Sequence, residues 1–198
     1  NLITKGFRQG GTAGFGLRRT LLDETGYPKQ ELERGQRKSL QTERVILTPG
    51  SPDEQEKVCW IYDQFIAGRS EQEIAEQLNS DGWRNDFGRP WSRGTVREVL
   101  TNEKYIGNNV FNRSSAKMKS KSRANPESEW IRLDGAFIPL VDERRFHTVQ
   151  GMIRERHRKV SNEELLHLLT SLYEERGRLS ALIIDEAELL PPSSLYRT

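Results

Sequence analysis

A chain of 198 residues, 34% hydrophobic and 30% charged, can bury one modest core and a small second one. Its formal net charge is only +2, so any affinity for nucleic acid has to come from where the charges sit. The single cysteine, Cys59, excludes an internal disulfide, and the scattered His147, His157 and His167 add no zinc-ligand spacing.

No apolar run reaches the length of a membrane span, and the opening residues 1–6 lack the form of a signal peptide, which points to the cytoplasm. A chain that starts at Asn1 and stops at Arg197-Thr198 reads as a fragment of a longer protein.

Residues 6–50 are marked by glycines and read as two short strands, one over 17–22 and one over 44–48, joined by a basic-acidic loop. The glycines read as turns, because no Gly-Lys-Ser/Thr follows them and no helix begins there. Ser51 then caps a helix, with Pro52 at its first position and Asp53, Glu54 and Glu56 at the positive end of its dipole. Val58, Ile61, Tyr62 and Phe65 recur at helical spacing as a core-facing stripe, and Gly68 ends the helix.

Ser70 and Glu73 form a capping box for a second helix, which buries Ile74, Ala75 and Leu78 and stops at Asn79-Ser80-Asp81-Gly82. Residues 83–91 make a turn in which Trp83, Phe87 and Trp91 hold against the helices. Ser92 caps a third helix with Val96, Val99 and Leu100 inward. Gly94, Arg97, Glu98 and Thr101 face the other way, with Arg93 at the amino-terminal edge. Two short capped helices around a tight polar turn are the layout of a helix-turn-helix, here over about residues 52–102.

Val110 and Phe111 predict a short strand, followed by a flexible loop (112–123) in which Arg113, Lys117, Lys119, Lys121 and Arg123 meet no acid. Residues 130–132 and 136–138 are strand candidates around Asp134-Gly135, and 139–142 lead into a helix through Phe146, Val149 and Ile153. From Ser161 the chain turns acidic and leucine-rich. One helix carries Leu165, Leu168, Leu169 and Leu172 and stops at Gly177, a second is capped by Ser180 and stopped by Pro191-Pro192, and a third opens at Ser193. The expected fold class is α+β, a helix-turn-helix domain with small β elements over 1–158, followed by a small all-α domain over 159–198.

The sequence presents no catalytic residues, no metal ligands and no cofactor site. Asp185-Glu186 after Leu182-Ile183-Ile184 is the acidic pair of a nucleotide hydrolase only if a phosphate loop accompanies it, and none does. The histidines form no zinc-hydrolase pair or dyad, and the serines sit at caps and loops. The DNA-binding candidates are Arg84, Arg89, Ser92, Arg93, Thr95, Arg97 and Thr101 on and before the third helix, where Arg can take guanine bidentately or clamp phosphates. Arg113, Lys117, Lys119, Lys121 and Arg123 would track the backbone, a task that needs charge but no fixed shape.

From about residue 14 to 154 the text resembles the recombinase domain of the large serine recombinases. The matching residues are Gly14-Phe-Gly16, Glu73-Ile-Ala-Glu-Gln-Leu-Asn79, Gly82, Gly88-Arg-Pro-Trp91-Ser92, Val96, Leu100, Asn102-Glu-Lys-Tyr-Ile-Gly107 and Pro139-Leu-Val-Asp142. The resemblance implies a module that docks on each half of a double-stranded attachment site, within a bacterial or phage-derived parent that works as a dimer or tetramer on DNA. In such proteins the strand-cleaving serine lies in a separate amino-terminal domain, for which this chain has no match, so the fragment is expected to bind DNA without cutting it. It departs from the family where a cysteine-rich zinc ribbon often follows, since no cysteine comes after Cys59. Residues 177–180 and 192–196 instead look like a compact three-helix DNA reader whose recognition helix starts at Ser194, Tyr196 and Arg197, or equally a helical cap or dimer contact. The alternative to the whole reading is a stand-alone helix-turn-helix transcriptional regulator.

Overall fold

The computed structural model describes residues 2–115, 123–156, 161–180 and 183–184. Lys117, Lys119, Lys121, Tyr196 and Arg197, the Asp185-Glu186 pair, and the helix opened at Ser193 lie outside the described residues. The chain divides into two compact units, Asn1–Gln150 and Gly151–Thr198.

The first unit begins with an antiparallel sheet of three strands, β1 (Leu17–Leu22), β2 (Pro28–Leu32) and β3 (Arg44–Pro49), in the order β2-β1-β3. The sequence predicts two strands here, and β2 is the addition. It escapes a period-2 reading because only Leu32 of its five residues is buried. What fixes it is the turn before it, where Asp23 Oδ1 accepts from the backbone N–H groups of Thr25 and Tyr27 at 2.9 Å each. Buried Glu43 closes the loop after β2. Its carboxylate accepts from Lys29 Nζ at 2.8 Å and from the N–H groups of Ser39 and Leu40 at 3.0 Å, and the Lys29 bond holds it below the usual carboxylate range. In the centre of the sheet the Thr20 and Thr48 hydroxyls meet at 2.7 Å.

Three helices follow: α1 (Pro52–Ile66), α2 (Glu71–Ser80) and α3 (Arg93–Thr101). Their buried faces are those the periodicity predicts, Val58, Ile61, Tyr62 and Phe65 on α1, Ile74, Ala75 and Leu78 on α2, and Val96, Val99 and Leu100 on α3. Ser51, Ser70 and Ser92 each cap their helix by accepting a backbone N–H. The fully buried Tyr62 hydroxyl donates to Val99 O at 2.9 Å and ties α1 to α3.

Beyond α3 the strands are short. β4 (Asn109–Phe111) pairs antiparallel with β7 (Ile131–Leu133), and β5 (Ser114–Ser115) pairs with β6 (Arg123–Ala124). Residues 136–138, expected as a strand, are irregular. They dock by a single bond in place of a ladder, from Phe137 N to Gly107 O at 2.9 Å, and after them Leu140 N and Val141 N donate to Tyr105 O at 2.9 and 3.0 Å. Gly107 permits this approach. A Cβ there would stand 2.5 Å from Phe137 O, on a backbone already at φ +87°. Asp142 then caps α4 (Glu143–Arg156) by accepting Arg145 N at 2.9 Å, and Gln150 Nε2 on α4 donates to Leu100 O at 2.7 Å.

In the second unit, α5 (Asn162–Arg176) is capped by Ser161, whose Oγ accepts Glu164 N at 3.1 Å, and ends at Gly177 with φ +70°. Leu172 is its buried residue, and Ser180 Oγ accepts Ile183 N at 3.3 Å, the start of a further turn. No helix among the described residues is long and apolar enough to cross a membrane.

Candidate nucleic-acid interface

The segment from α2 through α3 is built as a rigid corner. Asn79, in the last turn of α2, donates through Nδ2 to Trp91 O at 2.9 Å and accepts Trp91 N through Oδ1 at 2.7 Å. A side-chain amide paired with a backbone peptide in this way fixes the residue that precedes the α3 cap. Asn85 does the same for the tip of the turn. Its buried Oδ1 accepts from Phe87 N at 2.9 Å and Arg89 N at 3.1 Å, and its Nδ2 donates to Pro90 O at 3.3 Å. Phe15 enters from the glycine-rich stretch and meets the rings of Trp91 and Trp83 edge-on, at 4.9 and 6.1 Å between centroids. Trp91 is buried as expected, whereas Phe87 is exposed and carries the Arg34 guanidinium 4.2 Å over its ring.

The candidate residues of this corner separate into two groups. Arg84, Arg89 and Arg93 are exposed, and none has a carboxylate partner among the described residues. Ser92, Thr95, Arg97 and Thr101 are engaged by the fold. Thr95 Oγ1 accepts Ser92 N at 2.8 Å and donates to Ser92 O at 2.9 Å, and Thr101 Oγ1 donates to Arg97 O at 2.8 Å. Arg97 Nη1 donates to Glu71 Oε1 at 3.0 Å. The first turn of α3 carries Arg93 and no acid, unlike those of α1 (Asp53, Glu54) and α2 (Glu71, Glu73). Its positive dipole end is therefore left for an outside anion.

The basic loop has a built stem. Ser114 opposes Ala124 and Ser115 opposes Arg123, so this segment is a hairpin at its base and not the wholly flexible loop expected. Asn125 organises that base. Its Nδ2 donates to Asn112 O at 2.8 Å, its Oδ1 accepts the Ser115 hydroxyl at 2.9 Å, and its carbonyl accepts Trp130 Nε1 at 3.0 Å. Arg113 lies 5.1 Å over the Trp130 ring, and Arg113 and Arg123 are both exposed.

Behind the corner, Lys104 is buried with its ammonium 3.7 Å from Glu98 Oε1, and burial pulls its pKa down. Burial pushes the nearby Asp86 carboxyl up. The two line a small cavity of about 190 Å³ with Trp91 and Tyr105. Among the described residues no three His, Cys, Asp or Glu side chains gather as a metal site.

Residues 52–156, from the first residue of α1 to the last of α4, match the Recombinase family. This chain belongs to the Recombinase family. The match spans more than half of its 198 residues and contains the whole corner and the hairpin, whereas Tyr196 and Arg197 fall beyond it. Among solved structures, the recombinase chain is similar to one described as the crystal structure of an LSR-DNA complex, with 17% identity over 81% of this chain and 38% of the other, at a TM-score of 0.47. It is also similar to one described under sequence requirements of the Listeria innocua prophage attP site, with 21% identity over 66% of this chain and 48% of the other, at a TM-score of 0.40. The chain thus spans less than half the length of either. No curated protein matches the recombinase sequence.

The residues that the sequence reading missed are Asn79, Asn85, Glu71 and Asn125. Asn79 stood there as part of a helix stop and of the family-like stretch 73–79, with no role of its own. The distances that give these side chains their roles join residues 10 to 26 positions apart, or lie within a turn whose shape no periodicity encodes.

Proposed function

We propose that this recombinase domain binds double-stranded DNA sequence-specifically on behalf of a large serine recombinase, and does so without cutting the DNA itself. The amino-terminal edge of α3 enters the major groove, with Arg93 and the turn residues Arg84 and Arg89 at base edges or flanking phosphates. One observation carries the reading. Three exposed arginines without carboxylate partners surround an acid-free helix start, and Asn79 and Asn85 hold that start in place. A preorganised cationic edge loses little entropy on binding. The hairpin of Arg113, Lys117, Lys119, Lys121 and Arg123 follows the backbone beside it, as a separate source of salt-dependent affinity.

In this reading the parent protein is a dimer or tetramer on an attachment site, with its strand-cleaving serine in another domain. Residues 1–158 are the DNA-binding domain, and 159–198 a small helical one that adds Tyr196 and Arg197 as a second contact. The test is selection of bound duplexes from a random pool at low and at physiological salt. Recovery of one motif at both salts is the expected result. Motif-free binding that vanishes with salt would reduce the domain to a general anchor.

A further inference from the structure

Beside the sheet runs a groove of about 580 Å³ that the helix-turn-helix reading leaves unused. Four cations line it, Arg8, Arg19, Arg37 and Lys38, and no residue of its lining is acidic. Elsewhere in the unit Arg18 pairs with Glu54 at 2.7 Å, Lys29 with Glu43 at 2.8 Å and Arg132 with Glu103 at 2.8 Å. Three of the groove cations meet neutral groups instead. Arg19 donates to the carbonyls of Leu32 and Glu33, and Lys38 to those of Gln41 and Glu43 at 3.1 and 3.2 Å. Arg8 Nη1 reaches Asn109 Oδ1 at 3.5 Å, while its buried Nε has no hydrogen-bond partner. Carbonyls orient a cation without cancelling its charge, and Glu98 acts on Arg8 alone of the four, so the groove keeps a net positive field suited to an outside anion.

Two further features say what kind of anion fits. Gly10 and Gly11 form one wall as bare backbone at φ +77° and +80°, with open space where a Gly10 side chain would stand, so a bulky group can lie close to the chain. The groove also runs on into a larger one of about 740 Å³. The two share Gly11, Arg19, Leu32 and Gly35, and the far end of the larger one reaches Asn85, Asp86 and Phe87 of the helix-turn-helix turn. A single small anion would use one cation pair. An extended polyanion can lie along the four cations of the first groove, and its grip ends there, because the larger groove mixes Arg18, Arg19 and Arg34 with Glu31, Glu33, Glu54 and Asp86.

We infer that this groove is a second backbone-phosphate contact, gripping a DNA strand that leaves the helix-turn-helix corner. The inference rests on the DNA-binding reading above and gives the residues before the family match, 2–49, a part in it. Arg37 and Lys38 are exposed on the loop after β2 and can be changed without touching the core. Arg37 has no hydrogen bond or ion pair among the described residues, which makes Arg37→Gln the cleaner of two variants beside the double variant Arg37→Gln/Lys38→Gln.

The experiment is a fluorescence-anisotropy titration of the full 198-residue chain with a labelled duplex taken from the selection, repeated over a salt series. Each phosphate that the groove no longer neutralises should flatten the slope of log affinity against log salt by about 0.9, so Arg37→Gln gives up about one such step and the double variant up to two. Affinity at low salt should fall severalfold for Arg37→Gln and at least tenfold for the double variant, with unchanged thermal melting. An unchanged slope with intact wild-type binding overturns the groove alone. An equal loss in Arg144→Gln, on exposed α4 outside the groove, overturns it as well, because only net charge would then be felt. If inorganic phosphate shifts the Gly10 and Gly11 amide resonances while the slope stays fixed, the groove belongs to a free anion and not to DNA. Wild-type chain that binds no duplex removes both this contact and the function it rests on.

Discussion

Arg97 and Glu71 meet at 3.0 Å, from the second turn of α3 to the first residue of α2. The carboxylate side is buried, with 9% of the side chain exposed, and the arginine is 36% exposed, so the pair lies half in the fold and half at the surface. Arg97→Ala should destabilise the domain by about 1–3 kcal/mol, the cost of leaving a buried polar group unsatisfied. Glu71→Gln should cost less, since its amide oxygen still accepts from Arg97. Urea unfolding of both variants reads this directly, and a wild-type midpoint for Arg97→Ala would remove the structural role. Affinity separates the remaining possibilities. A loss confined to the selected motif makes Arg97 a base contact, and an equal loss on all duplexes makes it a strut or a phosphate contact.

Asn79 clamps the corner through the Trp91 peptide. Asn79→Ala removes both bonds to Trp91, leaving its N–H and carbonyl to find other partners at a part-buried site. The expected cost is about 1–3 kcal/mol in stability and a loss of motif-specific affinity at unchanged salt slope, because no charge is altered. Asn79→Asp keeps the acceptor for Trp91 N but sets a second oxygen against Trp91 O, so it should not restore the clamp. Specific affinity equal to wild type in Asn79→Ala would mean that the start of α3 needs no such clamp.

The two phenols at the centre of the helical layer make stability fall at high pH. Tyr62 and Tyr105 are fully buried, and burial pushes both well above the ordinary tyrosine value. The folded state favours the neutral phenol, so the stabilisation is whole below the unfolded pKa of about 10 and is lost as pH rises above it. Absorbance at the phenolate band, followed as pH rises, reads these two buried phenols. Tyr62 and Tyr105 should ionise only with unfolding. A single smooth titration of all phenols in a folded chain would contradict this. Tyr62→Phe, which also strips Val99 O of its 2.9 Å partner, should cost about 1 kcal/mol at neutral pH.

Local signals made the helices legible in the sequence. Ser51, Ser70 and Ser92 all cap where the sequence predicts, and the inward faces of α1 to α3 follow from 3.6-residue periodicity. The strands were less readable because their stability is not local. β2 has one buried residue and exists through its pairing with β1, and residues 136–138 look apolar enough for a strand yet are held by a single bond from Phe137 N to Gly107 O. At the site, the text located the cations but not what holds them. That Arg97 faces Glu71, or that Arg8, Arg19, Arg37 and Lys38 share an acid-free groove, depends on contacts across the fold.

The hairpin after β4 offers a way to separate charge from shape. Its charge lies in Arg113, Lys117, Lys119, Lys121 and Arg123, whereas its base is closed by Asn125, whose side chain bonds Asn112 and Ser115. Changing Lys117, Lys119 and Lys121 together to Gln should flatten the dependence of affinity on salt by about 0.9 for each phosphate that the arm ceases to neutralise. Asn125→Ala keeps every charge and frees the stem. It should lower affinity through the entropy of ordering the arm on DNA, with the slope unchanged. Anisotropy titrations over one salt series distinguish the two. A triple lysine variant with the wild-type slope would make the arm a solvated bystander, and an Asn125→Ala chain with wild-type affinity would show that the arm works by charge alone and that its built stem is irrelevant to binding.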